Sequence, residues 1–141
     1  MTDTQLAPDR AAALPPSLDE IEAMALAARE ALPDAIRKLA RKVSIRVEEF
    51  ADDTTLAYLD IDDPLELTGL YEGIPLTEKS VMDQPMGPDV IWLFRRAILE
   101  EWAERGTVEI GVLVTHVLIH EFAHHFGWSD DDIASIDRWW E

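Results

Sequence analysis

A chain of 141 residues, 48% hydrophobic and 8% aromatic, is long enough for one modest core and too apolar to be disordered. Its formal charge of −17 argues against nucleic acid and against an anionic membrane surface, since both would repel it. The absence of cysteine excludes disulfides and thiolate metal sites. No apolar run is long and charge-free enough to span a bilayer, and the first residues, MTDTQLAPDR, lack the basic flank and apolar segment of a secretory signal, so a cytoplasmic location is expected. The acidity is read first as a solubility device and second as a preference for a basic partner.

Residues 1–16 are Ala, Pro and polar residues without periodicity and read as a loose arm, leaving 17–141 as a single domain. Ser17-Leu18-Asp19-Glu20 is a capping box, and the near-helical recurrence of apolar residues behind it predicts a helix over 18–41, kinked before Pro33. VSIRVEEF, 43–50, alternates like a half-buried strand. DDTTLAYL, 52–59, is expected as a short helix capped by Asp52 or Asp53. LELTGLYEG, 65–73, is expected as a strand interrupted by Gly69, and DVIWLF, 89–94, as a third strand. ILEEWAER, 98–105, suits a helical turn. TVEIGVLVTHVLIHEFAHHF is valine-rich but too long for an ordinary strand, and Gly127 stands where a left-handed residue ends a helix, so one helix is expected over 107–126. Ser129 then caps a last helix, with acidic residues in its first turn.

All four histidines, His116, His120, His124 and His125, fall on that helix. His120-Glu121-Phe122-Ala123-His124 is H-E-x-x-H. Positions four apart on a helix lie about 40° apart in azimuth and about 6 Å along the axis, so the two imidazoles project side by side and can share one metal ion. Glu121, next to the first of them, cannot point straight at the ion but can reach a water on it, where a general base belongs. A catalytic zinc takes three protein ligands and keeps one position open. The pattern continues as H-x-x-G-x-x-D: Gly127 allows a sharp turn, and Asp130 can come back as the third ligand. Asp131 and Asp132 are neighbours that could substitute and rank behind it. Two imidazoles and a carboxylate suit one Zn2+ best, although iron(II) and other divalent ions accept the same set.

HEFAHHFGWSDDD, with GLYEG at 69–73, LTEKS at 76–80 and PDVIWLFRRAIL at 88–99, resembles the small bacterial zincin-like metallopeptidases, the minimal zincins. The resemblance covers roughly residues 18–140. It implies a compact α+β zincin-like domain, with a short sheet of about three strands packed against an N-terminal helix and a C-terminal active-site helix. It also implies zinc held by His120, His124 and Asp130 with Glu121 as base. Where Asp130 stands metzincins carry histidine, followed by a methionine turn. The last methionine here is Met86, so no such turn is expected and a peptide would lie in a shallow groove, pairing with a sheet edge near 67–73.

The expected function is hydrolysis of peptide bonds in a peptide or protein substrate by a metal-activated water. The alternatives are a non-catalytic metal-binding module and a protein-interaction module on the same scaffold. His125 should face core or solvent, about 100° from the ligand face. His116, one turn before His120, is a candidate supporting residue or transition-state group. Tyr71 is the candidate oxyanion partner besides the ion, and Glu72 a candidate carboxylate to orient a histidine. Arg95 and Arg96 are expected in surface pairs, and the tryptophans in packing.

Overall fold

The computed structural model describes residues 14–73 and 89–127. The chain begins with α1 (Leu18–Glu30) and α2 (Asp34–Ala40), and continues through β1 (Ser44–Glu48) and α3 (Asp53–Tyr58) to a 3-10 turn at Pro64–Glu66. β2 (Gly69–Glu72), β3 (Val90–Phe94), α4 (Arg95–Arg105) and α5 (Ile110–Phe126) follow. The three strands form one mixed sheet in the order β1-β3-β2, with β1 parallel and β2 antiparallel to β3. This is the α+β arrangement that the sequence predicts, with α1 and α5 packed together on the sheet.

Local chemistry explains most element ends. The capping box forms: Ser17 N–H donates to Glu20 Oε1 at 2.8 Å, and Glu20 N–H donates to Ser17 Oγ at 3.1 Å. The kink expected before Pro33 is a full break, because proline brings no N–H to continue the ladder. Asp52, of the two candidates, caps α3 by accepting from Thr55 N–H at 2.7 Å, which also lowers its own carboxyl pKa. The strand expected over 65–73 is shorter. Asp63 accepts from Leu65 N–H at 3.0 Å and Pro64 opens the 3-10 turn, so pairing starts only at Gly69.

The helix expected at 98–105 starts earlier, at Arg95, directly from the end of β3. Arg95 makes more than the surface pair expected. Its side chain is 17% exposed, donates Nε–H to the Pro16 carbonyl at 2.7 Å and pairs with Glu49 at 2.8 Å, tying the chain entry to both strands. Arg96 lies over the Phe50 ring at 5.7 Å. The last helix starts at Ile110 rather than 107: Gly106 ends α4 in the left-handed region, and the Trp102 indole N–H holds the Val108 carbonyl at 2.9 Å, keeping 107–109 in the connection.

Alternation along β3 splits the interior in two. Ile91 and Leu93 face α1 and α5, meeting Ile21, Leu118 and Phe122 in the main core. Trp92 and Phe94 face the other way, over Leu56 of α3 and Ala97 of α4. α5 is therefore anchored by its apolar residues to one face of the sheet. Among the described residues no helix is long and apolar enough to cross a membrane.

Candidate metal centre

Glycine sets how closely α5 approaches the sheet. A Cβ on Gly69 would lie 2.8 Å from Val117 Cγ1 and 3.2 Å from Glu121 Cγ, so only the missing side chain lets β2 and α5 touch here. That contact puts the H-E-x-x-H turns against the strand. His120 and His124 are both exposed, on the side of α5 turned away from the core, with the His124 side chain 66% exposed. Phe122 and Ala123, between them in sequence, are buried. His116 lies one turn before His120 and is half-buried. The glycine turn expected after the helix is present: Gly127 adopts φ 70°, ψ 35°, and its N–H donates to the Ala123 carbonyl.

Glu121 is mostly buried against β2. Its Oε1 makes no hydrogen bond, although His124 Nδ1 stands 3.3 Å away, near enough for charge attraction but not aligned to donate. Burial pushes the Glu121 carboxyl up from its ordinary range. The charge of His124 and the Tyr71 backbone N–H, which donates to the carboxylate, oppose that rise. An unsatisfied buried carboxylate oxygen beside two exposed imidazoles fits a cation that carries a water. Among the described residues no three His, Cys, Asp or Glu side chains converge on one point. Asp130, the third ligand expected from sequence, lies outside the described residues, as do Asp131, Asp132, LTEKS and the helix expected from Ser129.

The remaining candidates are occupied with other partners. The Tyr71 hydroxyl is hydrogen-bonded to His125 Nδ1 at 3.2 Å, with the two rings edge to face at 5.5 Å. Glu72 accepts from the Trp92 indole N–H at 2.7 Å on the far side of the strand. Of the two places open to His125, core and solvent, the structure gives core: it is 3% exposed. Its Nδ1 is also 3.3 Å from Asp89 Oδ2. Asp89 has no signal in the sequence, being one acidic residue before a strand. GLYEG carries its partial signature: a Cβ on Gly73 (φ 152°) would lie 2.1 Å from Asp89 Oδ1 and 2.7 Å from the Tyr71 hydroxyl. Gly73 thus leaves room for this second cluster, and Gly69 for the first.

No curated protein matches the chain. A family model described as zincin-like metallopeptidase matches residues 40–140, from the end of α2 through the whole sheet, α4 and α5. With H-E-x-x-H on a helix laid along a three-stranded sheet and most of its length inside that match, the chain belongs to the zincin-like metallopeptidases.

Proposed function

We propose that this protein is a zinc-dependent peptidase in which His120, His124 and Asp130 hold one zinc ion and Glu121 is the general base. The observation that carries the reading is the Glu121 carboxylate, buried with Oε1 unsatisfied beside two exposed imidazoles of the same helix. Zinc, when bound, is a Lewis acid that polarises the scissile carbonyl and acidifies water. Glu121 takes the proton from the attacking water and passes it to the leaving amine. Its raised pKa suits both halves of that exchange, since a base that must also act as an acid works best when its pKa is nearer to the working pH. The Tyr71 N–H donates to the carboxylate and holds it at β2. The cytoplasmic location and the shallow groove along β2, an edge strand of the described sheet, belong to the same proposal.

The test is metal content by elemental analysis together with cleavage of an unfolded protein substrate. Wild type should carry about one zinc, His120→Ala should lose it and Asp130→Ala should hold it weakly. Glu121→Gln should keep the zinc and lose about 10²- to 10⁴-fold in turnover, the range of general base catalysis. Turnover unchanged in Glu121→Gln would remove the base, and zinc unchanged in His120→Ala would remove the site.

A further inference from the structure

Glu121 and His125 are four residues apart and share one face of α5. His120 and His124 precede each by one residue, about 100° around the helix. Both members of the first pair are held by the same strand residue. Tyr71 gives its backbone N–H to Glu121, and its hydroxyl is hydrogen-bonded to His125. Asp89, the residue before β3, approaches the same His125 nitrogen at 3.3 Å. One turn and the next are thus fastened to two neighbouring strands by directional polar contacts.

Apolar packing alone fixes a helix position better than its roll, because dispersion contacts are non-directional. A roll of about 20° carries an atom at the outer radius of a helix, about 5–6 Å from the axis, through about 2 Å. Metal-ligand distances tolerate only about 0.2 Å. Something directional must therefore set the roll, and these are the polar contacts on the strand-facing side of α5 near its C-terminal end. We propose that Tyr71, His125 and Asp89 form a positioning clamp that sets the roll of α5 on the sheet and so the direction in which His120 and His124, as a pair, face the ion and its remaining ligand. The clamp is built from described residues; its consequence for zinc rests on the metal-centre reading. In this role His125 positions the ligand side chains rather than binding the ion. It acts through the helix that carries them.

The test compares wild type with Tyr71→Phe, His125→Asn and His125→Leu. Tyr71→Phe removes one hydroxyl while keeping the ring contact and the N–H to Glu121. His125→Asn keeps a donor near the Nδ1 position, and His125→Leu keeps only bulk. Zinc affinity is measured by competition with a chromogenic chelator, the absorption spectrum of the cobalt-substituted protein reports ligand geometry, and thermal unfolding of the metal-free forms runs alongside. Tyr71→Phe should weaken zinc about tenfold, as loss of a supporting hydrogen bond does elsewhere, and should alter the cobalt spectrum. His125→Asn should bind more tightly than His125→Leu although leucine fills a core better, which separates positioning from stability. If His125→Leu does not fold, Tyr71→Phe decides alone.

Equal affinities and identical cobalt spectra, in variants whose parent binds zinc, would overturn the clamp and leave the metal centre standing. If wild type takes up no zinc, the metal-centre reading fails and the clamp is judged by amide hydrogen exchange of the metal-free chains. Faster exchange confined to residues 121–126 in Tyr71→Phe supports it, and unchanged exchange there overturns it.

Discussion

Two faces of α5 use the same residue types for opposite ends. On the strand-facing side, Glu121 and His125 are buried or nearly so, close to Tyr71 and Asp89, with Gly69 making room for Glu121 and Gly73 for Asp89 and Tyr71. One residue back along the chain, His120 and His124 stand exposed. Neighbours in sequence are about 100° apart on a helix, so one step decides whether an imidazole becomes part of the core or stays open to solvent. The difference teaches that histidine count and spacing do not by themselves say which imidazole is available. What the helix packs against says it.

Substitutions on the two faces should separate the roles. The largest stability effect belongs to the apolar row of α5: Phe122→Ala empties a fully buried ring stacked on Phe126 and should lower unfolding free energy by about 3–5 kcal/mol in chemical denaturation. Gly69→Ala should cost about 1–3 kcal/mol, because the new methyl meets Val117 Cγ1 and the Trp92 carbonyl and pushes the helix off β2. A Gly69→Ala protein as stable as wild type would mean that the close approach of the two elements is not needed.

The histidines sharpen the contrast directly. In metal-free protein, His125→Ala leaves the Tyr71 hydroxyl and the Asp89 carboxylate without their buried partner and should cost about 1–3 kcal/mol. His120→Ala, on the exposed face, should stay within about 0.5 kcal/mol. With zinc present the order should reverse for metal content, which His120→Ala abolishes. Equal stability losses for the two alanine variants would erase the distinction between the faces.

A further effect is one of pH. Burial raises the folded-state pKa of Glu121 above its unfolded value of about 4.3. Below that value both states hold the proton and the group does not favour either. As pH rises, the unfolded chain ionises first, so stability falls through the interval up to the raised folded value. Glu121→Gln removes this fall. In the presence of a chelator its Tm should match wild type near pH 4 and exceed it at pH 7. A gap that narrows as pH rises would reverse the assigned direction.

Legibility in the sequence followed the range of the interactions. The Ser17–Glu20 box, the Asp52 cap and the Gly127 turn involve partners within four residues, and each forms where the local pattern puts it. The 65–73 stretch misled because its alternation suits a strand, whereas Asp63 and Pro64 locally favour a turn that the apolar pattern does not reveal. Arg95 misled for the opposite reason: its partners, Pro16 and Glu49, are far away in the chain. Asp89 and the hydroxyl of Tyr71 were out of reach on the same ground, since His125 lies 54 residues beyond Tyr71.

The sequence by itself determined the chemistry that a helix can carry: two imidazoles four residues apart, a carboxylate beside the first, a glycine after the second and an aspartate beyond it. Helical geometry is fixed by the backbone, so spacing alone places the two imidazoles and the carboxylate of the helix relative to one another. The tertiary structure decided which side of that helix meets water. That choice depends on Gly69 and Gly73 admitting α5 and Asp89 to the edge of β2, and on Tyr71 holding Glu121 and His125 there. These are contacts between segments distant in the chain, and no local pattern encodes them.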